Sequence, residues 1–440
     1  MLMNELTCPT NIIHSISAPN LIQETDIDEL RESVYLIIDD FVSNNIQEYC
    51  YKDFAHRLFE HTYHIVEILH NNIDHMIDIN LSELIDEGMY IYFEFVGTKR
   101  SETTKITTPK NKRPYSKILK HIKSKDTHEQ GTPEWFQFRW NHITASSAWK
   151  ALEENASKNQ MILGKCQPIN VAKFSSVNTT SAMHHGHKFE PLSVLIYEEM
   201  YNTEIGDYGC IENDDYPHLA ASPDGINIKI DNPRYGRALE IKNPTTRKIT
   251  GIPKKDYWVQ MQMQMECLNL DECDFLETSF KEYLTEEAFM ADGKFNESTT
   301  EKRKGIIVCF NNGSHPVYKY TPLNISTKED YDVWMDKSVE NNPTLTWIKN
   351  TYWYLETMSC VLVRRNKPWF DAIKHKFQAV WNTILKERTE GFEHRKPKKR
   401  PKKSEHSMII DTPPLKPHTS PDIGCLKIDT QSLKSFTLEI

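Results

Sequence analysis

The stretch Arg237–Lys242 reads RALEIK, and it places Glu240 and Lys242 two residues apart in a short, mostly apolar run. Side chains at i and i+2 of a strand point to the same face. A carboxylate and an ammonium side by side on a buried face are costly to desolvate unless something compensates. A surface ion pair is one reading. A metal-binding acid beside a catalytic lysine is the other.

A second acid decides what to look for. Asp224 lies in SPDG (222–225), after the strand-like run HLAAS (218–222), at a separation from Glu240 that one hairpin spans. Ser, Pro and Gly in that order suit a type I turn, which alone would account for Asp224. Two carboxylates that converge repel each other unless a cation lies between them. Oxygen ligands of this kind suit Mg²⁺, with Mn²⁺ as a substitute. Such an ion polarises a phosphate and lowers the pKa of an attacking water. Lys242 beside it would orient that water or neutralise charge in the transition state.

Glu190 supplies a third acid. It stands in HHGHKFEPLSVLIYEEM (184–200), a glycine-containing loop that runs into a helix. Pro191 fits a first helical turn. Phe189, Leu192 and Ile196 would then face a core, with Glu190 at its edge. His184, His185 and His187 have no Cys or Asp nearby to complete a zinc site. His56, His61, His64, His70 and His75 are read as ordinary packed or solvated histidines.

These residues need a scaffold, and the chain of 440 residues is long enough for two domains and linkers. Residues 1–97 read as a mainly helical N-terminal domain: Ile27, Leu30, Val34, Ile37, Ile38 and Phe41 recur at helical spacing. Within it, MYIYFEFV (89–96) alternates like a strand. Residues 98–126 read as a basic linker, either a solvated spacer or a DNA contact. From 127 to 390 the pattern is mixed α/β. Strands are expected at 218–222, 237–241, 274–280, 304–310 and 316–320, and helices at 142–153, 187–201, 255–268 and 367–387. Residues 391–440 open on the basic run RKPKKRPKK (395–403) and continue as a Pro/Ser/Thr-rich tail with too little apolar content for a core, read as disordered. The run has the form of a nuclear-import signal or a nucleic-acid patch, and a plain solvated tail is the other reading.

The net charge of −9, evenly spread, would argue against a nucleic-acid partner. Binding follows local patches, however, and the charge is uneven: the first hundred residues are acid-rich, whereas 110–125 and 395–403 are strongly basic. The 9 cysteines include no CxxC pair, which predicts reduced thiols in an intracellular protein. No apolar run approaches the length of a membrane span, and no signal peptide is read.

Taken together, Asp224, Glu240 and Lys242 resemble the D…E-x-K core of the PD-(D/E)XK nuclease superfamily. TPEWFQFRWNHITASSAW (132–149), GHKFEP (186–191), SPDG, LEIKNP (239–244) and YWVQMQMQMECLNLDECDF (257–275) occur in the order found in phage-lambda-type exonucleases, the YqaJ-like viral recombinases. The resemblance covers roughly 130–390. It implies a restriction-endonuclease-like core, a central mixed sheet flanked by helices. It also implies two Mg²⁺ ions held by Glu190, Asp224, Glu240 and the carbonyl of Ile241. Lys242 matches the catalytic lysine. Gln260 matches a supporting glutamine with Tyr257 near it, and Gln262 and Gln264 are placed on other sides of that helix. Arg139, Thr144 and Ser146 fall in the phosphate-binding opening, where Arg139 and Ser146 keep the family's spacing. Trp135, Trp140 and Trp149 are read as core.

The activity so implied is digestion of one strand of duplex DNA from a 5′ end. The resemblance further implies a role at DNA ends in viral recombination, repair or replication, a single-strand annealing protein as partner and a trimeric ring as oligomer. An endonuclease, or a nuclease on RNA or branched DNA, shares the same metal core. A non-catalytic DNA-binding factor is the reading from another class. Cys267 and Cys273 lack the clustering of an iron–sulfur site. The style of the chain suggests a large DNA virus, with the host nucleus, the viral replication factory or the virion as the place of work.

Overall fold

The computed structural model describes residues 24–71, 80–103, 114–154, 156–169, 181–313 and 315–397. The tail, most of the 395–403 run and part of the 110–125 segment lie outside them.

Three α-helices come first among the described residues: α1 (Glu24–Asn44), α2 (Phe54–Asn71) and α3 (Leu81–Phe95). MYIYFEFV is therefore helical, not a strand. The Asn80 side chain caps α3 by accepting from the Glu83 N–H, and Leu84, Ile85 and Tyr92 turn inward at helical spacing. Gly88 lets α3 approach α1 closely, since a Cβ there would meet Val34 at 2.7 Å. Tertiary packing overrides the local alternation.

Next come β1 (Glu102–Thr103), α4 (Tyr115–Lys123), α5 (Pro133–Trp140), β2 (Ile143–Thr144), α6 (Ala145–Ala148), α7 (Ala156–Cys166) and α8 (Ala182–Tyr201). The strands β3 (Ile205–Gly206), β4 (Ile211–Glu212), β5 (Leu219–Ala221), β6 (Gly225–Asn227) and β7 (Ala238–Lys242) lead into α9 (Lys255–Leu268). Then follow β8 (Glu272–Glu282), α10 (Glu286–Ala291), β9 (Lys304–Asn311), β10 (Pro316–Tyr320), α11 (Lys328–Glu340), β11 (Thr346–Arg364) and α12 (Lys367–Glu390). The segment expected as a linker contributes β1, which pairs with β11, and α4, which buries Leu119 and Ile122 and leaves Lys117, Lys120 and Lys123 exposed.

The main sheet runs β10-β9-β11-β8-β7-β6-β3. It is mixed: β7 and β8 are parallel, while β6 and β7 are antiparallel. A small second sheet, β2-β5-β4, has β2 parallel to β5. Phe189, Leu192 and Ile196 of α8 pack on Phe280, Ile307 and Trp353, and Tyr197 packs on Leu239 and Ile241, which covers one face. The methionines of α9 join Ala238, Cys273 and Phe275 on the other. That second core continues through α12 into α1–α3, with Trp258 edge-on to Trp369 at 4.8 Å. Each large apolar side chain so buried contributes about 1.5–3 kcal/mol. The mixed α/β core with helices on both faces is the expected fold class.

Candidate active site

The end of β7 gathers the acids. The Asp224 N–H donates to the Leu239 carbonyl (3.0 Å), and the Ile241 N–H donates to Asp224 Oδ2 (2.6 Å). These two bonds lock the SPDG turn onto the strand that carries Glu240. Gly225 is required there, because a Cβ would fall 2.1 Å from Ile205. Glu240 is fully buried, and both of its oxygens are engaged: Oε1 by Lys242 Nζ, Oε2 by Gln264 Nε2 at 2.6 Å. Lys242 also lies 5.1 Å from the centre of the Tyr257 ring.

The electrostatics follow from this crowding. Burial, and then the Glu240 carboxylate, push Asp224 well above the ordinary carboxylate range, although Lys242 pulls the other way. Burial raises Glu190 as well; His187 and Lys242 oppose the rise, and Glu240 adds to it. Burial alone would lower the Lys242 pKa, but Glu240 and Asp224 together hold it above the usual lysine value.

Glu190 comes from α8, which starts earlier than the Glu190–Pro191 pair suggested. Ser181 caps it by accepting from the His184 N–H, so Pro191 lies inside the helix and not in its first turn. Proline removes one helical donor there. Ser193, one turn after Phe189, accepts from Asn243 Nδ2 (2.8 Å), and Asn243 also donates to Thr278 (2.6 Å). The residue that follows Lys242 thus pins the Glu190 turn to the sheet. His184 Nε2 meets the Tyr318 hydroxyl at 2.6 Å, and His185 packs on Phe189.

On α9 the helix phase places Gln264 on Glu240. Gln264 Nε2 also donates to the Ser222 carbonyl (3.2 Å), so one amide joins SPDG to the E-x-K strand. Gln264 is thus on the Glu240 side of the helix, not on another side. Gln260, one turn earlier on the same face, is half-buried and makes no such bond among the described residues. Gln262 faces away, bonding the Arg364 carbonyl and the Asn366 N–H.

The phosphate-binding opening is tied to the acids by the small sheet: Ile143 and Thr144 pair with Leu219 and Ala220, just before SPDG. Arg139 Nη2 lies 3.4 Å from Ser146 Oγ, and its guanidinium stacks on Trp135 at 4.5 Å. Burial lowers the Arg139 pKa. Thr144 Oγ1 is 3.2 Å from Ser147 Oγ. Lys165 Nζ donates to the Arg139 carbonyl, and burial, then Arg139 and Arg388, bring its pKa down to about 7. Trp135, Trp140 and Trp149, expected as core, are all only partly buried.

Among the described residues, no group of three or more His, Cys, Asp or Glu side chains comes together closely enough to hold a metal ion. In donor type the set fits a hard divalent cation: carboxylate oxygens of Glu190 and Asp224, raised by burial and further by the charge of Glu240.

Residues 134–271 match the YqaJ-like viral recombinase domain. Over that stretch the chain is similar to a YqaJ-like domain. Arg139, Thr144, Ser146, Glu190, Asp224, Glu240, Lys242, Gln260 and Gln264 all fall within that match. The chain is also 28% identical over 306 residues to an uncharacterized protein, R354, of Acanthamoeba polyphaga mimivirus, covering 60% of this chain. It spans 54%, about half, of that relative's length. Among solved structures, LHK-Exo in complex with dAMP is 19% identical and covers 58% of this chain and 94% of its own, with a TM-score of 0.35. The alkaline exonuclease LHK-Exo from Laribacter hongkongensis is 20% identical over 60% and 95%, TM-score 0.33. A phage-related exonuclease from Haemophilus somnus 129PT is 13% identical over 56% and 96%, TM-score 0.31.

Proposed function

We propose that this protein is a divalent-metal-dependent deoxyribonuclease that shortens one strand of duplex DNA from 5′ ends. The observation that carries the reading is the junction at Glu240. Asp224, Lys242 and Gln264 meet at one buried strand end, Glu190 is coupled to it electrostatically, and the Arg139 opening is held beside it by the β2–β5 pairing.

Glu190, Asp224, Glu240 and the Ile241 carbonyl would hold Mg²⁺, which supplies polarisation of the phosphodiester and a more acidic water. The rest is the work of the chain. The Ile241 N–H and the Gln264 amide fix the orientation of the two strand carboxylates. Lys242, kept charged by its acidic neighbours, offsets negative charge as it grows on the phosphate. Arg139 offers a forked donor set to a terminal phosphate, and Ser146 a hydroxyl beside it. The exposed lysines of α4 add a sequence-independent attraction for the duplex.

The test is cleavage of linear duplex DNA with Mg²⁺, comparing 5′-phosphate, 5′-hydroxyl and covalently closed circular substrates, with Glu240→Ala as control. Release of mononucleotides from 5′-phosphorylated ends supports the reading. Cutting of circles moves the assignment to an endonuclease. No metal-dependent cleavage of any substrate leaves a DNA-binding factor.

A further inference from the structure

Glu277 lies on β8 in register with Lys242 on β7, so it belongs to the same sheet face as the catalytic pair. Its carboxylate is 1% exposed. A buried carboxylate is expensive unless it is both paired and hydrogen-bonded. Glu277 has only the first. Arg247 Nη2 comes within 2.5 Å of Oε1, yet among the described residues neither carboxylate oxygen has an aligned hydrogen-bond partner.

Arg247 is on the loop after β7, and its side chain keeps 21% of its surface open. Its guanidinium lies 5.6 Å from the centre of the Tyr257 ring, the same ring that Lys242 approaches at 5.1 Å. One aromatic ring is therefore shared by two cations, one from the E-x-K motif and one outside it. Beyond the Glu277 contact, Arg247 makes, among the described residues, one long bond, 3.4 Å, to the neighbouring Lys248 carbonyl, which leaves most of its fork open toward them. A purely structural ion pair is a poor account, since replacing such a buried pair by apolar residues is often neutral or stabilising. A guanidinium that must be held beside a polyanion, with donors left over, accounts for all of these contacts.

We propose that Arg247 and Lys242 form a second phosphate subsite over Tyr257. It takes a phosphodiester of the cleaved strand next to the one at the acids, and Glu277 is the positioning residue that holds Arg247 there. The subsite rests on the nuclease reading above, and the experiment separates the two.

Binding of a 5′-phosphorylated duplex is measured by fluorescence anisotropy in Ca²⁺ across a salt series, and cleavage in Mg²⁺, for wild type, Arg247→Ala, Arg247→Lys and Glu277→Gln. Arg247→Ala is expected to weaken binding about tenfold, the size of one charge-assisted contact, and to reduce the salt slope by ~0.7–0.9. Arg247→Lys keeps the slope. Glu277→Gln keeps the slope and lowers kcat, because the charge remains but its place is lost. In an Arg247→Ala background Glu277→Gln has no further effect on kcat, the non-additivity of two residues acting through one contact. Unchanged affinity and slope in Arg247→Ala, in a protein whose wild type binds and cuts, overturn the subsite alone. An equal loss of kcat from Glu277→Gln with and without Arg247 overturns the positioning role. A wild type that neither binds nor cuts any duplex overturns the nuclease reading and the subsite with it.

Discussion

Gln264 Nε2 lies 2.6 Å from Glu240 Oε2, and both side chains are fully buried. The contact crosses from helix to strand and fixes the carboxylate rotamer that the rest of the site depends on. Gln264→Leu should therefore lower kcat by about 10–100-fold, the range for losing one or two hydrogen bonds to a charged group. Gln260→Ala, which removes no bond to Glu240, should cost less. Steady-state cleavage of both variants checks this; a larger loss from Gln260→Ala would return the supporting role to that residue.

Lys242→Ala removes the one cation that contacts Glu240 among the described residues. Cleavage should fall by about three orders of magnitude or more, as when a preorganised charge at the transition state is lost. Duplex affinity in Ca²⁺ should fall by about tenfold at most, the size of one charge-assisted phosphate contact, far less than the loss of cleavage. Activity near wild type would take Lys242 out of its role.

The sequence makes the Asp224, Glu240 and Lys242 arrangement legible because a strand's period of two is rigid: two residues in E-x-K share a face wherever the strand lies. Helix phase is another matter. Every α9 residue from Trp258 to Leu268 except Gln260 is buried, so no polar stripe shows which glutamine meets the acid. Asn243 looks like an ordinary surface residue until it bonds Ser193 of α8 and Thr278 of β8, and Glu277 until the sheet buries it beside Arg247. The long strand β11, 19 residues with two register shifts, mixes aromatic and polar side chains because it serves three neighbours, and no simple alternation survives. The MYIYFEFV segment shows the converse failure, a clean alternation that the packing of α3 on α1 overrules.

The raised Asp224 and Glu190 pKa values predict how stability varies with pH. A carboxyl that holds its proton more tightly when folded stabilises most below its unfolded pKa, about 4. Stability is lost as pH rises through the higher folded value. Without divalent metal, the Tm of wild type should fall relative to that of Asp224→Asn as pH climbs from about 4 into the neutral range. Mg²⁺ should recover more of that loss at neutral pH than in acid, since it binds the ionised form. Thermal melts of both proteins with EDTA or Mg²⁺ decide it. Parallel pH profiles for the two would show that Asp224 titrates normally.

Arg139 makes the most selective claim about substrate. Its guanidinium is desolvated, stacked on Trp135 and within reach of Ser146, and Lys165 adds a second cation behind it. A dianionic terminal phosphate meets these donors, whereas a 5′-hydroxyl leaves them unpaired. Arg139→Ala should therefore act on end preference more than on chemistry. The ratio of kcat/KM for 5′-phosphate over 5′-hydroxyl ends should drop by about tenfold or more, with internal steps of a long digestion slowed less. Arg139→Lys should recover only part of the preference, because an ammonium keeps the charge but not the fork. Single-turnover cleavage of the two matched substrates measures the ratio directly, and a ratio unmoved by Arg139→Ala would place recognition of the end elsewhere.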